Sequence, residues 1–448
     1  MSGSERAGTA PPIPEHRKSV YEYYRLTFDE VGCPMKQTDT GTVFHPILAP
    51  YLIADYMSLF VKTSDRSFLE HAESIAVHAL KRADRLGEAL VFMYSPNTGL
   101  SNVPTTFYSA LTQAWYIKAF CALEEHCPGR YQEEIRQFFN SLSIPTEESG
   151  VLMKKDYGWI VEEYPHEPAF YTLNGWLTVL RWIVQCRKML DSLGIRYAEF
   201  LERNLDAVEH LLPLYDASFC LNSRYQLTGF SRIKIVFDKP IIHECLGFEI
   251  EIPGEGRFAG TLGTNKKSRW QNYLERSEAR LLQFNVLLSL ISKPDPNIFR
   301  VRLKVDKACK AKIFLAQGNY RPDTSGMPTE TWKQLAEIPL GAGEPVSLEC
   351  TVPFDGEDLF AYPTNFKKKI GGVMYNGYHF VHVVDLAELY AYSRRTSLKT
   401  IAEKWLGYID GWHELSVLAG GNYSLKSHIY GDDLNTVIHR LLQSRNNE

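Results

Sequence analysis

The sequence predicts a mainly α fold: an (α/α) toroid, or incomplete barrel, of helical hairpins with an inserted β-sandwich-like domain. Two observations predict it. Apolar residues recur at three- and four-residue spacing from about residue 46 to 216, and again from 377 to 412. Between these regions, from Phe230 to about Gly372, the chain reads as short β-branched and aromatic runs punctuated by Gly, Pro, Asn and Asp. A late helix pair cannot bury its apolar face alone, so it is assigned to the same body as the early helices.

Taken in order, residues 1–20 are polar, contain three prolines and read as a disordered tail. The first part of the toroid covers 21–228. A helix opens near Pro46, and "RSFLEHAESIAVHALKRADRL" follows with Leu69, Ala72, Ile75, Ala76, Ala79 and Leu80 on one face. "TFYSALTQAWYIKAFCALEEH" and "RYQEEIRQFFNSL" supply the next pair, then "PAFYTLNGWLTVLRWIVQCRKML" and "RYAEFLERNLDAVEHLLPLYD". Stacked hairpins of this kind bury their faces against one another. Runs such as "SRIKIVFD", "NIFRVRLKVD" and "PVSLECTVPF" mark the inserted domain, 229–372. The final helices and C-terminal tail occupy 373–448.

Composition removes several function classes. A net charge of -4 gives no basic field for nucleic acid. The longest apolar stretch, "LLQFNVLLSLI" from 281, is too short for a membrane span, and residues 1–20 hold no signal peptide. A soluble, cytoplasmic protein is expected. None of the eight cysteines has the two-residue spacing of a zinc or redox motif. G-x-G-x-x-G, P-loop, H-E-x-x-H and G-x-S-x-G patterns do not occur, so neither cofactor nor metal is expected. The 25 tyrosines suit a carbohydrate cleft as well as a large core.

Four stretches carry titratable chemistry. In "YGWIVEEYPHEPAFYTLNGW", Asp156, Glu162, Glu163 and Tyr164 precede a helix, and Pro165 pushes Tyr164 toward extended backbone. The carboxylates either cap that helix or wall an active site. In "YNGYHFVHVVDL", Tyr378 and His382 share a helix face, His379 points elsewhere, and Asp385 is placed to orient His382. A satisfied core histidine is the alternative. "LLPLYDASFCLNSRY" carries Tyr215, Asp216, Arg224 and Tyr225, and an Arg can hold a carboxylate with a bidentate fork. "PTTFYSALTQ" places Tyr108 at a helix start.

These four segments, in this order, resemble the D-glucuronyl C5-epimerases of heparan sulfate and heparosan biosynthesis in their C-terminal catalytic region. The E-E-Y-P turn with its following L-N-G is the most specific match, and the Y-H-x-x-H helix start comes next. The resemblance covers roughly 40–227 and 373–412 and not the β region. It implies an isomerase without cofactor, acting on a uronate-containing polysaccharide or oligosaccharide, in a monomer or a homodimer. It places the catalytic groups at Glu163 and Tyr378 with Tyr164 beside them. Arg224, Tyr108, His382, Tyr225 and Asn174 fall among the substrate-binding positions.

Inverting C5 of a uronate requires removing a proton beside a carboxylate and returning one to the opposite face. The family's second tyrosine, three residues before the Arg, is Leu221 here, so Tyr225 or Tyr215 would have to substitute. With one competent face, a lyase expelling the C4 substituent is the alternative. With none, the chain is a glycan-binding protein. A glycosidase using Glu163 and Asp216 ranks behind these. The cluster "TNFKKKIGG", with Lys367, Lys368 and Lys369, is either a solvated loop or a contact for a polyanionic chain.

Overall fold

The computed structural model describes residues 11–94, 104, 106–218, 221–259, 277–317, 331–353, 368–370, 373–375, 377–411, 438 and 442–443. Helices α1 (Lys18–Tyr23), α2 (Leu48–Thr63), α3 (Arg66–Leu80), α4 (Ala110–His126), α5 (Gln132–Ser141), α6 (Leu173–Ser192) and α7 (Ala198–Tyr215) precede the main sheet; α8 (Gly377–Ser393) and α9 (Thr396–Gly411) follow it. Their limits have local causes. The Asp65 side chain accepts the Ser67 N–H to cap α3, and Ser109 accepts from Thr112 to cap α4. Ser64, with left-handed backbone, ends α2 and donates its N–H to the Phe60 carbonyl.

Helices α2, α4, α6 and α8 pack side by side in that order, with α3 behind α2, α5 behind α4 and α9 behind α8. One apolar core runs through them. The four inner helices begin at the same end of the body. His45, just before α2, meets Tyr94 at 5.4 Å, and the Tyr94 hydroxyl lies 2.7 Å from Thr112 in the first turn of α4. Phe107, before α4, meets Tyr164, before α6, at 5.6 Å. Leu173, which opens α6, donates its N–H to the Tyr225 carbonyl, and the Tyr225 ring lies 4.6 Å from Tyr378, near the start of α8. The orphan N–H groups of four helices therefore collect at one end.

The expectation of a mainly α toroid with a β-sandwich-like insertion does not hold. Strands form so large a share of the structure that the fold is a mixed α and β one, dominated on its second side by one antiparallel sheet. Its seven strands are joined by hydrogen bonds in a single sheet. The 25-residue strand Thr228–Ile252 is its spine. The first half pairs with Ser277–Ser289 and Cys309–Gln317; the second pairs with Asn297–Val305 and Gly256–Ala259. Thr331–Leu340 and Val346–Val352 extend the two sides. The register breaks between Val236 and Ile241, where Pro240 has no N–H to give. Alternation makes the sheet's own core: Phe299, Val301, Leu303 and Val305 point in, while Arg302 and Lys304 point out. A one-sequence reading saw several of the strands and missed that a single long strand serves both halves.

The disordered tail also needs correction over 11–20. Glu15–Arg17 and α1 are helical, the Tyr56 hydroxyl donates to the Pro12 carbonyl, and Arg17 pairs with Asp55. Pro12, one of the prolines that read as disorder, is anchored to α2. Of the lysine cluster, Lys368–Ile370 pairs with Val373–Tyr375, and Lys367 lies outside the described residues. No helix among the described residues is long and apolar enough to cross a membrane.

Candidate active site

Glu162 and Glu163 divide the two roles that the sequence left open. Successive side chains of an extended segment point to opposite sides. Glu162 is buried and its Oε1 accepts the Tyr171 N–H at 2.9 Å, which holds the turn before α6. That turn needs holding, because Tyr171 sits at φ 55°, in the left-handed region that favours glycine. Burial pushes the Glu162 carboxyl up to about 8, against the Tyr171 and Thr172 N–H groups that favour its ionised form.

Glu163 lies against the first turn of α6. A Cβ at Gly175 would stand 2.7 Å from Glu163 Oε2 and 2.8 Å from its Cβ, so only glycine admits the carboxyl there. The group is 4% exposed. Burial raises its pKa to about 7, while hydrogen bonds from the Tyr164 and Tyr225 hydroxyls pull it down. Burial, then the charge of Glu163, pushes Tyr164 well above the usual tyrosine range. Asn174, also in the first turn of α6, is buried with no hydrogen-bond partner for its Oδ1 among the described residues.

Tyr225 connects this turn to the late helix. It hydrogen bonds to Glu163 and packs on Tyr378. Tyr24 completes the group: burial first, then the neighbouring Tyr378 and Glu163, raises its pKa. Tyr51 and Tyr94 also feel the Glu163 charge. Tyr24, Tyr51, Tyr94, Tyr164, Tyr225 and Tyr378 are all half-buried, whereas Glu163 beneath them is buried. The arrangement is a tyrosine-walled recess with a carboxyl at its floor, at the end where four helix N-termini meet. Arg224 is buried next to Tyr225, its backbone N–H donating to the Tyr215 carbonyl at 2.7 Å.

His382 is buried and not oriented by Asp385. Its Nδ1 lies 2.8 Å from Ser223 Oγ, and the same Oγ lies 2.8 Å from His379 Nδ1. His379, expected to point elsewhere, shares the cluster. The Ser223 N–H donates to His379 Nδ1 at 3.1 Å, so His379 Nε2 carries the proton, 2.8 Å from the Trp405 carbonyl that accepts it. Burial lowers His379 to about 4 and holds His382 well below the histidine range. Both rings are neutral. They clamp the start of α8 to the 222–225 segment and so fix Tyr378 against Tyr225. Asp385 instead pairs with Arg181 at 2.5 Å and accepts from Thr178 at 2.7 Å, joining α8 to α6.

Other candidates serve the scaffold. The Tyr108 hydroxyl donates to the Ser141 carbonyl at 2.7 Å, in the core. Tyr215 is fully buried and donates to the Tyr171 carbonyl at 2.7 Å. Asp216 accepts from Lys404, Trp405 and Tyr408 of α9, which removes it as a second glycosidase carboxylate. Leu221 packs on Gly411 of α9. Tyr225 is thus the tyrosine that joins Glu163 and Tyr378. Sequence reading missed Ser223, although it stands within the quoted N-S-R-Y stretch, and the ring wall of Tyr24, Tyr51 and Tyr94, which no spacing reveals. No group of three His, Cys, Asp or Glu that could hold a metal occurs among the described residues.

Comparison with known proteins gives one family match. The family described as D-glucuronyl C5-epimerase C-terminus matches residues 84–236, about a third of the chain, which includes Glu163, Tyr164, Arg224 and Tyr225. Tyr378 and the greater part of the sheet lie beyond the match. No curated protein matches the chain. The match supports an epimerase in general terms: residues 84–236 are similar to the D-glucuronyl C5-epimerase C-terminal family.

Proposed function

We propose that this protein is a uronic acid C5-epimerase acting on a glucuronate-containing glycan. The observation that carries the reading is Glu163: a buried carboxyl near neutral pKa, held by two tyrosyl hydroxyls, one of which packs on Tyr378. A base poised near the operating pH is what proton abstraction from carbon asks for.

In this mechanism ionised Glu163 takes the C5 proton. The electron pair of the C–H bond moves into the uronate carboxylate as an enolate. Tyr378 then gives its hydroxyl proton to C5 from the opposite face, and proton exchange with water resets both groups. Arg224 offsets the carboxylate charge that grows in the enolate. Tyr225 and Tyr164 donate to Glu163 and limit how far burial raises it. The first turn of α6 adds its N-terminal partial positive charge. Asn174 Oδ1, buried and without a partner among the described residues, is suited to accept from a sugar hydroxyl.

The test is deuterium incorporation at C5 in heavy water, with heparosan-type oligosaccharides and purified protein. Exchange in the unaltered protein, lost in Glu163→Gln and Tyr378→Phe, is the expected result. An unsaturated, ultraviolet-absorbing product would make the protein a lyase instead. No exchange with any glucuronate glycan would overturn the proposal.

A further inference from the structure

Helix α4 is buried on all sides but one. From Ala110 to Glu124 its only half-buried positions are Leu111, Trp115, Lys118 and Ala122, at helical spacings of four, three and four, so they form one stripe. The Lys118 ammonium stands 3.3 Å from the centroid of the Trp182 ring and 4.9 Å from that of Trp115. No ion pair or hydrogen bond among the described residues neutralises it. The charged groups around it are engaged elsewhere: Arg181 with Asp385, Asp55 with Tyr21 and Arg17, Glu388 with Gln185. Burial and the Arg181 charge lower Lys118 to about 7. Beside it, Trp182 is 3% exposed and its indole Nε1 has no hydrogen-bond partner among the described residues.

This place is continuous with the recess above. Trp115 meets Tyr51 at 4.6 Å, and Tyr51 meets Tyr24 at 6.4 Å, the ring that feels Tyr378 and Glu163. From Thr112, under Tyr94, to Lys118 is six residues of helix, roughly 9 Å. An indole face beside an unneutralised ammonium offers an apolar platform with a charge at its edge.

We propose that Lys118, Trp115 and Trp182 form a second subsite, which takes the carboxylate-bearing neighbour of the sugar that reacts at Glu163. The inference rests on the proposed epimerase reading for the identity of the ligand. An acidic sugar's anion pairs with the ammonium and its ring lies on Trp115, while the buried Trp182 ring holds the ammonium from the other side.

Two measurements test it. For C5 exchange, Lys118→Met is expected to raise KM for acidic hexasaccharides about tenfold, the scale of one lost charged hydrogen bond. It should leave kcat and the KM for a methyl glucuronide within about twofold, and Lys118→Arg should behave as the unaltered protein. A KM that changes by the same factor for both substrates in Lys118→Met, or a loss shared by Lys118→Arg, overturns the subsite. In equilibrium titration, the acidic hexasaccharide should change the tryptophan fluorescence of the unaltered protein saturably, and much less so in Trp115→Phe. A signal unchanged in Trp115→Phe counts against the subsite even where Lys118→Met does not fold. The two readings fail separately. Exchange that ignores Lys118 sinks the subsite alone, whereas Lys118-dependent binding without any exchange sinks the epimerase alone.

Discussion

The helical body and the sheet bury different kinds of residue. Inside the sheet lie Ile233, Ile235, Phe284, Phe299, Val301, Leu303 and Ile313. Its ion pairs, such as Arg300 with Glu251 and Glu349, are partly exposed on its flanks. Inside the helical body, Glu162, Glu163, Arg181, His379, His382 and Asp385 are all buried. Removing such groups from water costs several kcal/mol each unless partners offset it. Most of them have partners within the scaffold: Glu162 the Tyr171 N–H, Arg181 and Asp385 each other, the histidines Ser223. Glu163 is different. Its partners are the half-buried hydroxyls of Tyr164 and Tyr225. The contrast sets polar burial that holds the fold beside the one buried carboxyl to which the proposed reaction is assigned.

The comparison can be broken at its strongest point first. Glu163→Gln should lower C5 exchange by about 10²–10⁴-fold, the usual worth of a general base, with little change in the denaturant midpoint. Val301→Ala in the sheet should do the reverse: a loss of about 1 kcal/mol or more in stability, with the exchange rate of the folded protein kept. Next, Arg181→Met leaves Asp385 buried without its cation and should cost about 3–5 kcal/mol in denaturant unfolding. Tyr225→Phe removes a hydrogen bond that favours ionised Glu163. The acid limb of the pH–rate profile, near 7 in the unaltered protein, should therefore move upward. Activity at pH 7 should drop by up to about tenfold.

Glu162 gives a smaller effect of defined sign. Its folded pKa, about 8, lies above its ordinary value of 4.5, so the folded state binds the proton more tightly than the unfolded one. Stability contributed by this group is present below about 4.5 and is lost as pH rises through about 8. Glu162→Gln, which keeps an acceptor for the Tyr171 N–H, should flatten that decline in thermal unfolding. The smallest effect belongs to the sheet surface, where Arg300→Ala should cost about 1 kcal/mol or less and leave activity unchanged.

Much of this could be read from residue order. Helical spacing located α2 to α9, and the E-E-Y-P turn and the 377–393 helix pointed to Glu163 and Tyr378. What spacing cannot say is which element lies opposite a given face. Asp385 shares a face with Tyr378 and His382 as expected, but α6 brings Arg181 and Thr178 to it before His382 can use it. Tyr108 stands at a helix start, as an active-site residue would, yet its ring turns toward α5 and its hydroxyl is taken by Ser141. The sheet was underestimated for the same reason. Several strands were visible, but Ser277–Ser289 and Thr331–Leu340 were not singled out, and the joining of both halves through Thr228–Ile252 is a pairing fact, and pairing is not local.

That long strand has a consequence for how the protein can be altered. It leaves the helical body three residues after Tyr225, and the junction is tied down by Leu227 N–H to the Phe170 carbonyl and Leu290 N–H to the Leu227 carbonyl. Lys155 to Glu255 fastens the far end of the spine back to the hairpin before Glu163. The sheet is therefore a splint for the candidate site. A shortened protein with 229–372 spliced out would keep Glu163 in its place on Gly175, but Tyr225 would lose the brace that aims it.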